Sequence, residues 1–351
     1  MLFGKKQSLV GLDIGSHTIK AVELEPQANR SWRLTRWGIS APLAEAIVDG
    51  EIMDRQLVTD AISNLFETRG IRSRSVVAAV SGRAVIVKKI TMNRLSAADA
   101  QQAVYWEAEQ HVPYDVNDVS LDFEIVGAAP NDPKQMQVLL VAAKKDMVSS
   151  FADLVREAGL TPAVVDVDSF AAQNALEANY DFAPEEVVAI LNVGAEMTNI
   201  NIIQAGVPYF TKDLQVGGTT FVEAAQRKFN LSQAEAAAAV RGESGANLEL
   251  APVIEQTCEG LATALERAQA FLRTSGEAGA ISRIMLCGGS ALTPGVQDFL
   301  QRRFGVPTEI ANPLTRVAYD PALFAGQDVM KVAPLLTVGI GLALRRVGDK
   351  K

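Results

Sequence analysis

Histidine and cysteine are scarce. His17 and His111 are the only histidines in 351 residues, which leaves little room for a His-based metal centre or a catalytic triad. The two cysteines, Cys258 and Cys287, have no metal-binding spacing, and without a signal peptide they read as small core residues rather than a disulfide. No apolar run reaches the roughly 18 residues that span a bilayer. Met1–Lys6 is too short for a secretory core, so the expectation is a cytoplasmic protein that meets a membrane only through a partner. Cations are the minority, 33 Lys and Arg against 41 Asp and Glu, and a net charge of −8 argues against nucleic acid as the main partner. A P-loop is absent too, since no Gly-Lys-Ser/Thr opens a helix. What is present is apolar bulk. With 48% apolar and 21% charged residues the chain can fill two sizeable cores, and its length suits about two domains.

The most informative stretch is residues 8–25, SLVGLDIGSHTIKAVELE. Leu9, Val10, Leu12 and Ile14 predict a strand buried on both faces. Gly15, Ser16, His17 and Thr18 make a polar turn, and Ile19 to Leu24 returns as a second strand. By itself this is also an ordinary hairpin. As a phosphate site, each residue has a use. Gly15 permits a tight backbone, and the amides from Gly15 to Thr18 can converge on one anion. Ser16 and Thr18 add hydroxyls, His17 its backbone N–H, and Lys20 a cation. Asp13 would be repelled by a triphosphate unless a divalent cation lay between them, usually through water, so it predicts Mg2+. The pattern recurs at 187–203, where Asn192, Gly194, Ala195, Thr198 and Asn199 take corresponding places. One hairpin per half predicts a duplicated fold that holds its ligand between the halves.

Between and after these hairpins the pattern is α/β. Strands are expected at 32–40 and 75–80 around a helix over 55–69. An α+β module follows: a strand at 84–92, a helix from Ser96 to His111, strands at 119–126 and 136–143 joined by the turn 130–133, and a helix at 147–158. A strand at 161–167 leads to a helix capped by Asp168 or Ser169. Later helices are expected from Gly217-Gly218, over 233–240 behind Ser232, and over 252–274, 296–304 and 332–346. Gly217 and Gly218 could place helix amides on a phosphate. Gly288 and Gly289, after the strand at 284–287, would let a flat base lie on the backbone. Asp166 and Asp168 could contact Mg2+ through water or act as a base, with capping preferred for Asp168. Gln173 could orient a water or be an exposed helix residue. Glu235 could accept from ribose hydroxyls or be a solvated helix residue.

The order of these motifs resembles the actin-like ATPase superfamily. Leu12-Asp13-Ile14-Gly15-Ser16 with Lys20 is similar to its first phosphate motif, Asn192-Val193-Gly194 with Thr198 to its second, and Met285 to Ala291 with Pro294-Gly295 to its adenosine motif. More narrowly, the short N-terminus, Trp106 to Tyr114, Val165 to Ala171 and Thr198 to Asn201 resemble the PilM family of the type IV pilus inner-membrane platform. The insert's placement is shared with the division protein FtsA. The resemblance implies a duplicated actin-like (ribonuclease-H-like) two-lobed ATPase fold with a small α+β insert in the first lobe. The first-lobe core would comprise 1–80, 160–185 and 332–347, and the partner-binding insert 81–159. The second-lobe core would comprise 187–216 and 283–331, with a helical subdomain at 217–282.

The same resemblance implies ATP and Mg2+ in the cleft. Gly15, Ser16, His17, Thr18, Lys20, Gly194, Ala195, Thr198, Asn199, Gly217 and Gly218 would face the phosphates. Glu235, Gly288, Gly289, Ser290 and Leu292 would face the nucleoside, and Asp13 and Asn192 the metal through water. Catalytic residues stay open, with Asp166 and Gln173 as weak candidates. The partners implied are the N-terminal peptide of the membrane-anchored PilN, the pilus motor ATPases and other platform proteins, at the cytoplasmic face of the bacterial inner membrane. Two departures bear on turnover. Asn192 stands where hydrolases of the superfamily carry an acid, and the lysine of an Ala-Glu-x-x-Lys nucleotide contact is replaced by Ala238. The expectation is an ATP-binding scaffold or switch with slow or no hydrolysis. The rivals are an FtsA-type filament protein and a small-molecule kinase.

Overall fold

The computed structural model describes residues 9–43, 45–129, 132–243, 248–275, 278–346 and 348. Residues 1–8, Pro130 and Asn131 of the expected turn, and residues 244–247 between the helices expected at 233–240 and 252–274 lie outside them.

β1 (Val10–Ile14) and β2 (Ile19–Pro26) form the first hairpin, with Val10 opposite Glu23 and Ile14 opposite Ile19. β3 (Trp32–Ile39) adds antiparallel to β2, and a small ribbon of β4 (Ile47–Val48) and β5 (Glu51–Ile52) follows. α1 (Arg55–Thr68) begins where the Asp54 carboxylate accepts the Leu57 N–H, and buries Val58, Ile62, Leu65 and Phe66 at helical spacing. β6 (Ser75–Val80) lies parallel beside β1. Val76 to Val80 are all buried, with Val76 and Ala78 in one core and Val77 and Ala79 in another on the opposite face of the sheet. A strand covered on both sides needs no polar alternation.

Next comes a separate three-stranded sheet. β7 (Val85–Asn93), α2 (Ala97–His111), β8 (Val119–Ala129) and β9 (Asp132–Lys144) give the order β7-β9-β8, and α2 packs on it through Ala100, Val104 and Ala108. β8 and β9 run further than the apolar pattern predicts, because antiparallel pairing continues through two register shifts into the polar turn. α3 (Lys145–Glu157) then returns the chain to the first sheet, where β10 (Thr161–Val167) lies parallel beside β6. α4 (Asp168–Glu177) follows directly.

β11 (Val187–Val193), β12 (Thr198–Gln204) and β13 (Val207–Leu214) open the second lobe as an antiparallel meander. α5 (Gly218–Phe229), α6 (Gln233–Val240) and α7 (Ala251–Ser275) precede β14 (Arg283–Cys287), α8 (Val296–Phe304) and β15 (Thr308–Ile310). The first sheet reads β3-β2-β1-β6-β10 and the second β13-β12-β11-β14-β15, with the same strand directions throughout. β16 (Val317–Ala318) extends only the first, beside β3. The fold is therefore a duplicated α/β unit.

The last described helices pack between the lobes, where Val338 and Leu342 share a core with residues of both sheets. α9 (Val329–Val332), a 3-10 turn over Ala333–Leu336 and α10 (Thr337–Ala343) replace the single helix expected over 332–346. Pro334 has no N–H to donate and its ring crowds the preceding turn, so the helix is broken there. α10 packs directly on α4. A Cβ on Gly341 would lie 1.7 Å from the Ala171 carbonyl oxygen, a contact that only glycine allows. Cys258 and Cys287 are free buried thiols, and burial pushes both up to about 12. Among the described residues, no helix is long and apolar enough to cross a membrane.

Candidate functional site

Both hairpin tips border the space between the lobes, where the charge of Asp13 bears on Cys287 of the second lobe and that of Arg241 on His17 of the first. In the first, Asp13 and Lys20 face each other in register, and carboxylate and ammonium are 3.3 Å apart. The ammonium leans over the turn, 3.1 Å from where a Cβ on Gly15 would sit. The turn is braced from behind by the Leu43 N–H donating to the His17 carbonyl (2.7 Å) and the Ile19 N–H to Ser40 Oγ (2.9 Å). Partial burial, then the charges of Lys20 and Arg241, hold the His17 imidazole below its ordinary pKa, so the ring is neutral at pH 7. Arg241 follows α6 in the second lobe, and motif reading gave no hint of it.

The second tip is stitched to its neighbours. The Gly194 N–H donates to the Met197 carbonyl (2.9 Å). The Gly218 and Thr219 amides at the start of α5 donate to the carbonyls of Gly194 (3.0 Å) and Ala195 (2.7 Å), so they are engaged within the protein. The Gly217 N–H reaches Thr220 Oγ1 at 3.3 Å, and Thr198 Oγ1 donates to the Val216 carbonyl (2.6 Å). Asn192 and Asn199, opposite each other in register, are joined by a 2.9 Å bond from Asn192 Nδ2 to Asn199 Oδ1. Gly288 passes directly over them at φ +84°. A Cβ there would lie 2.4 Å from the Val193 carbonyl oxygen and 2.6 Å from Asn192 Oδ1. Ser290 Oγ sits against Gly218. Gly289 to Leu292 form a 3-10 turn, with Gly289 beside Leu335. The glycine-bearing segments at 194, 217–218 and 288–290 are thus one cluster.

Three carboxylates approach the same space. Asp168 is not the cap of α4: Val167 holds that position, and no side chain caps the helix. Instead Asp168 faces inward. Burial, then the charge of Asp13 and, more weakly, of Asp213, pushes its carboxyl up to about 7, partly offset by a hydrogen bond with Ser81 and the charge of Lys20. Asp213, which no motif marks, stands opposite Asn199 on β13 and accepts from Asn199 Nδ2 (2.7 Å) and from the Gly82 N–H in the first lobe. Its only sequence signal is a polar residue facing an asparagine across two strands, which becomes visible once the register is known.

The remaining candidates are engaged by their own neighbours. The Asp166 carboxylate is 3.2 Å from Arg345 Nε, just after α10, and accepts the Val167 N–H. Gln173 is not an exposed helix residue. It is 2% exposed, donates to Glu177 and to the Gly206 carbonyl, and accepts from Asn201 Nδ2 (3.0 Å), so it joins α4 to the β12–β13 turn. The Glu235 carboxylate accepts the Ser232 N–H (2.9 Å) and hydroxyl (2.6 Å), a capping box for α6. Those bonds hold its pKa below the ordinary glutamate value.

Among the described residues, no three His, Cys, Asp or Glu side chains converge as a direct metal-ligand set. The charges of Asp13 and Asp213 both bear on Asp168 across the cleft. That arrangement suits a divalent cation held through water rather than by a protein cage.

A family model described as type IV pilus assembly protein PilM matches residues 11–347. A solved chain from a PilM-PilN type IV pilus biogenesis complex is 28% identical, with a TM-score of 0.86 over 98% of this chain and 100% of that one. MreB 5 of Spiroplasma citri bound to AMPPNP is 13% identical, with a TM-score of 0.54 over 96% of this chain and 95% of that one. The ethanolamine utilization protein EutJ from Carboxydothermus hydrogenoformans is 14% identical, with a TM-score of 0.52 over 97% and 90%. The latter two are likenesses of fold, and the architecture is the two-lobed actin-like one.

Proposed function

The chain belongs to the PilM family of type IV pilus assembly proteins, and from that premise we propose that it is an ATP-binding scaffold or switch that binds the N-terminal tail of PilN. The observation that carries the partner is the full-length likeness, at 28% identity, to a chain solved in a PilM-PilN complex. The tail would lie where the inserted module, residues 81–159, meets the first-lobe core. Tethering to PilN would hold the protein under the inner membrane, within reach of the pilus motors and the other platform proteins.

Mg-ATP would bridge the lobes. Lys20 and the turn amides from Gly15 to Thr18 would hold phosphate from the first lobe and the Ala195 amide from the second, where the Gly194 and Gly217 N–H groups already have partners within the protein and these glycines would only leave room for it. Gly288 to Ser290 would line the base. A bound Mg2+ would neutralise phosphate charge. Asp13 would orient its waters with Asn192 opposite, and Asp168 would be a third group to face them. An amide at position 192 cannot take a proton from water, so hydrolysis is expected to be slow or absent.

Two measurements test this reading. Protein denatured directly after purification is expected to release ATP or ADP, and calorimetry with a synthetic PilN tail peptide from the same organism is expected to show one-to-one binding. No nucleotide and no heat with either ligand would overturn it, and steady-state turnover above about 1 s⁻¹ would overturn the switch reading.

A further inference from the structure

A continuous line of hydrogen bonds runs from the second hairpin into the first lobe. Asn192 Nδ2 donates to Asn199 Oδ1 at 2.9 Å, and Asn199 Nδ2 donates to Asp213 Oδ1 at 2.7 Å. Asp213 Oδ2 accepts the backbone N–H of Gly82. The Gly82 carbonyl accepts the N–H of Val85, the first residue of β7, at 3.0 Å. A single carboxylate therefore joins the cleft to the root of the three-stranded module.

The chemistry gives this line a direction. An ionised carboxylate only accepts, whereas a carboxamide can turn either its oxygen or its NH2 toward a neighbour. Asp213 therefore obliges Asn199 to present NH2 to it and oxygen to Asn192. Asn199 in turn obliges Asn192 to present NH2, which leaves Asn192 Oδ1 on the side of Cys287 (3.9 Å) and Gly288. The neutral residue standing where an acid is expected is thus oriented by an acid two strands away. The second lobe also grips the module around Asp213. Lys89 Nζ lies 3.6 Å over the Tyr209 ring, and Arg83 Nη2 donates to Gln215 Oε1 at 2.5 Å. Gln215 Nε2 reaches Asp49 Oδ1 at 2.8 Å.

We propose that Asp213 is a positioning residue: it fixes the amide of Asn192 in the cleft and, by holding Gly82, couples occupancy of the cleft to the placement of the module. The functional half rests on the reading above, that nucleotide binds in the cleft and the PilN tail at the module. Linkage then requires that each ligand change the affinity of the other by the same factor.

The test uses full-length protein and two variants. Asp213→Ala removes the acceptor of both Asn199 and Gly82, so both links break; Asp213→Asn alone would not break them, because the amides of Asn199 and Asn192 can turn over and re-form the line in reverse. In the double variant Asn199→Asp with Asp213→Asn, the polarity is exchanged and every bond can re-form with Asn192 oriented as in the wild type. The carboxylate introduced at position 199 accepts from Asn192 and from the amide introduced at position 213, whose oxygen accepts from Gly82. The first readout is amide hydrogen exchange without ligand. Asp213→Ala is expected to speed exchange at Gly82 and Val85 tenfold or more, and the double variant to exchange as the wild type does. The second is PilN-peptide affinity with and without Mg-ATP. The wild type is expected to show a ratio of fivefold or more, Asp213→Ala less than twofold, and the double variant the wild-type ratio. Asp213→Ala with unchanged exchange, or with coupling intact, overturns the proposal, as does a double variant that matches Asp213→Ala in both readouts. A wild type that binds ATP and peptide independently also overturns it. A wild type that binds neither sinks the functional reading instead, and hydrogen exchange then decides the Asp213 link alone.

Discussion

The two hairpins occupy equivalent places in the two sheets but carry opposite chemistry. One step below each tip, a pair of residues faces across the ladder: Asp13 with Lys20 in the first lobe, Asn192 with Asn199 in the second. The first pair is ionic and 3.3 Å apart, while the second is joined by a neutral 2.9 Å hydrogen bond from Asn192 Nδ2 to Asn199 Oδ1. Duplication supplied one geometry twice, and side-chain choice divided the labour. The charged pair can attract phosphate and order a hydrated cation. The amide pair adds no net charge, yet its orientation is imposed from outside by Asp213. One side is therefore suited to binding strength, and the other to transmitting position.

The largest expected effect attacks the charged pair. Lys20→Ala removes the cation and leaves Asp13 beside Asp168, so ATP affinity by calorimetry should fall ~100-fold, the worth of one charge-assisted contact of about 2.7 kcal/mol. Next is the packing over the amide pair. Gly288→Ala forces a Cβ into the Val193 carbonyl at positive φ, and urea unfolding should show a loss of ~2 kcal/mol.

The third contrast is pH. Asp168 keeps its proton up to about 7, whereas in the unfolded chain it ionises near 3.8. Between those values the native state holds the extra proton, so its contribution to stability is lost as pH rises through that window. A cation in the cleft favours the ionised form. Mg-ATP binding should therefore tighten by up to ~10-fold per pH unit between pH 6 and 7 and level off above that, since one proton is released. Asp168→Asn should flatten the profile, and an unchanged slope in that variant would assign the titration to another group. The smallest effect belongs to the amide pair itself. Asn199→Ala should weaken ATP by about fivefold, near 1 kcal/mol, and a loss as large as that of Lys20→Ala would erase the distinction between the two hairpins.

Both hairpins were legible because dense apolar strands, a Gly turn and a polar pair are local signals. The helix caps at Ser96 and Ser232 were legible for the same reason, since cap and acceptor lie three residues apart. The errors have a common cause. Asp168 sits beside a helix start, as a cap does, but its surroundings come from Asp13, Ser81 and Asp213, all distant in sequence. Gln173 looks solvated on its own helix and is buried by the turn at Gly206. The apolar run over 332–346 hides the break at Pro334 and the close crossing at Gly341.

The sequence alone determined the two hairpins, their duplication and the residue types at each tip, because these follow from apolar periodicity and turn chemistry within a few residues; β13, which carries Asp213, was not among its expected strands. Tertiary structure decided which carboxylates share the cleft, which way the Asn192 amide points and what holds Gly82. Those outcomes depend on strand register and on contacts between lobes, and no local pattern encodes the distance between residues more than a hundred positions apart.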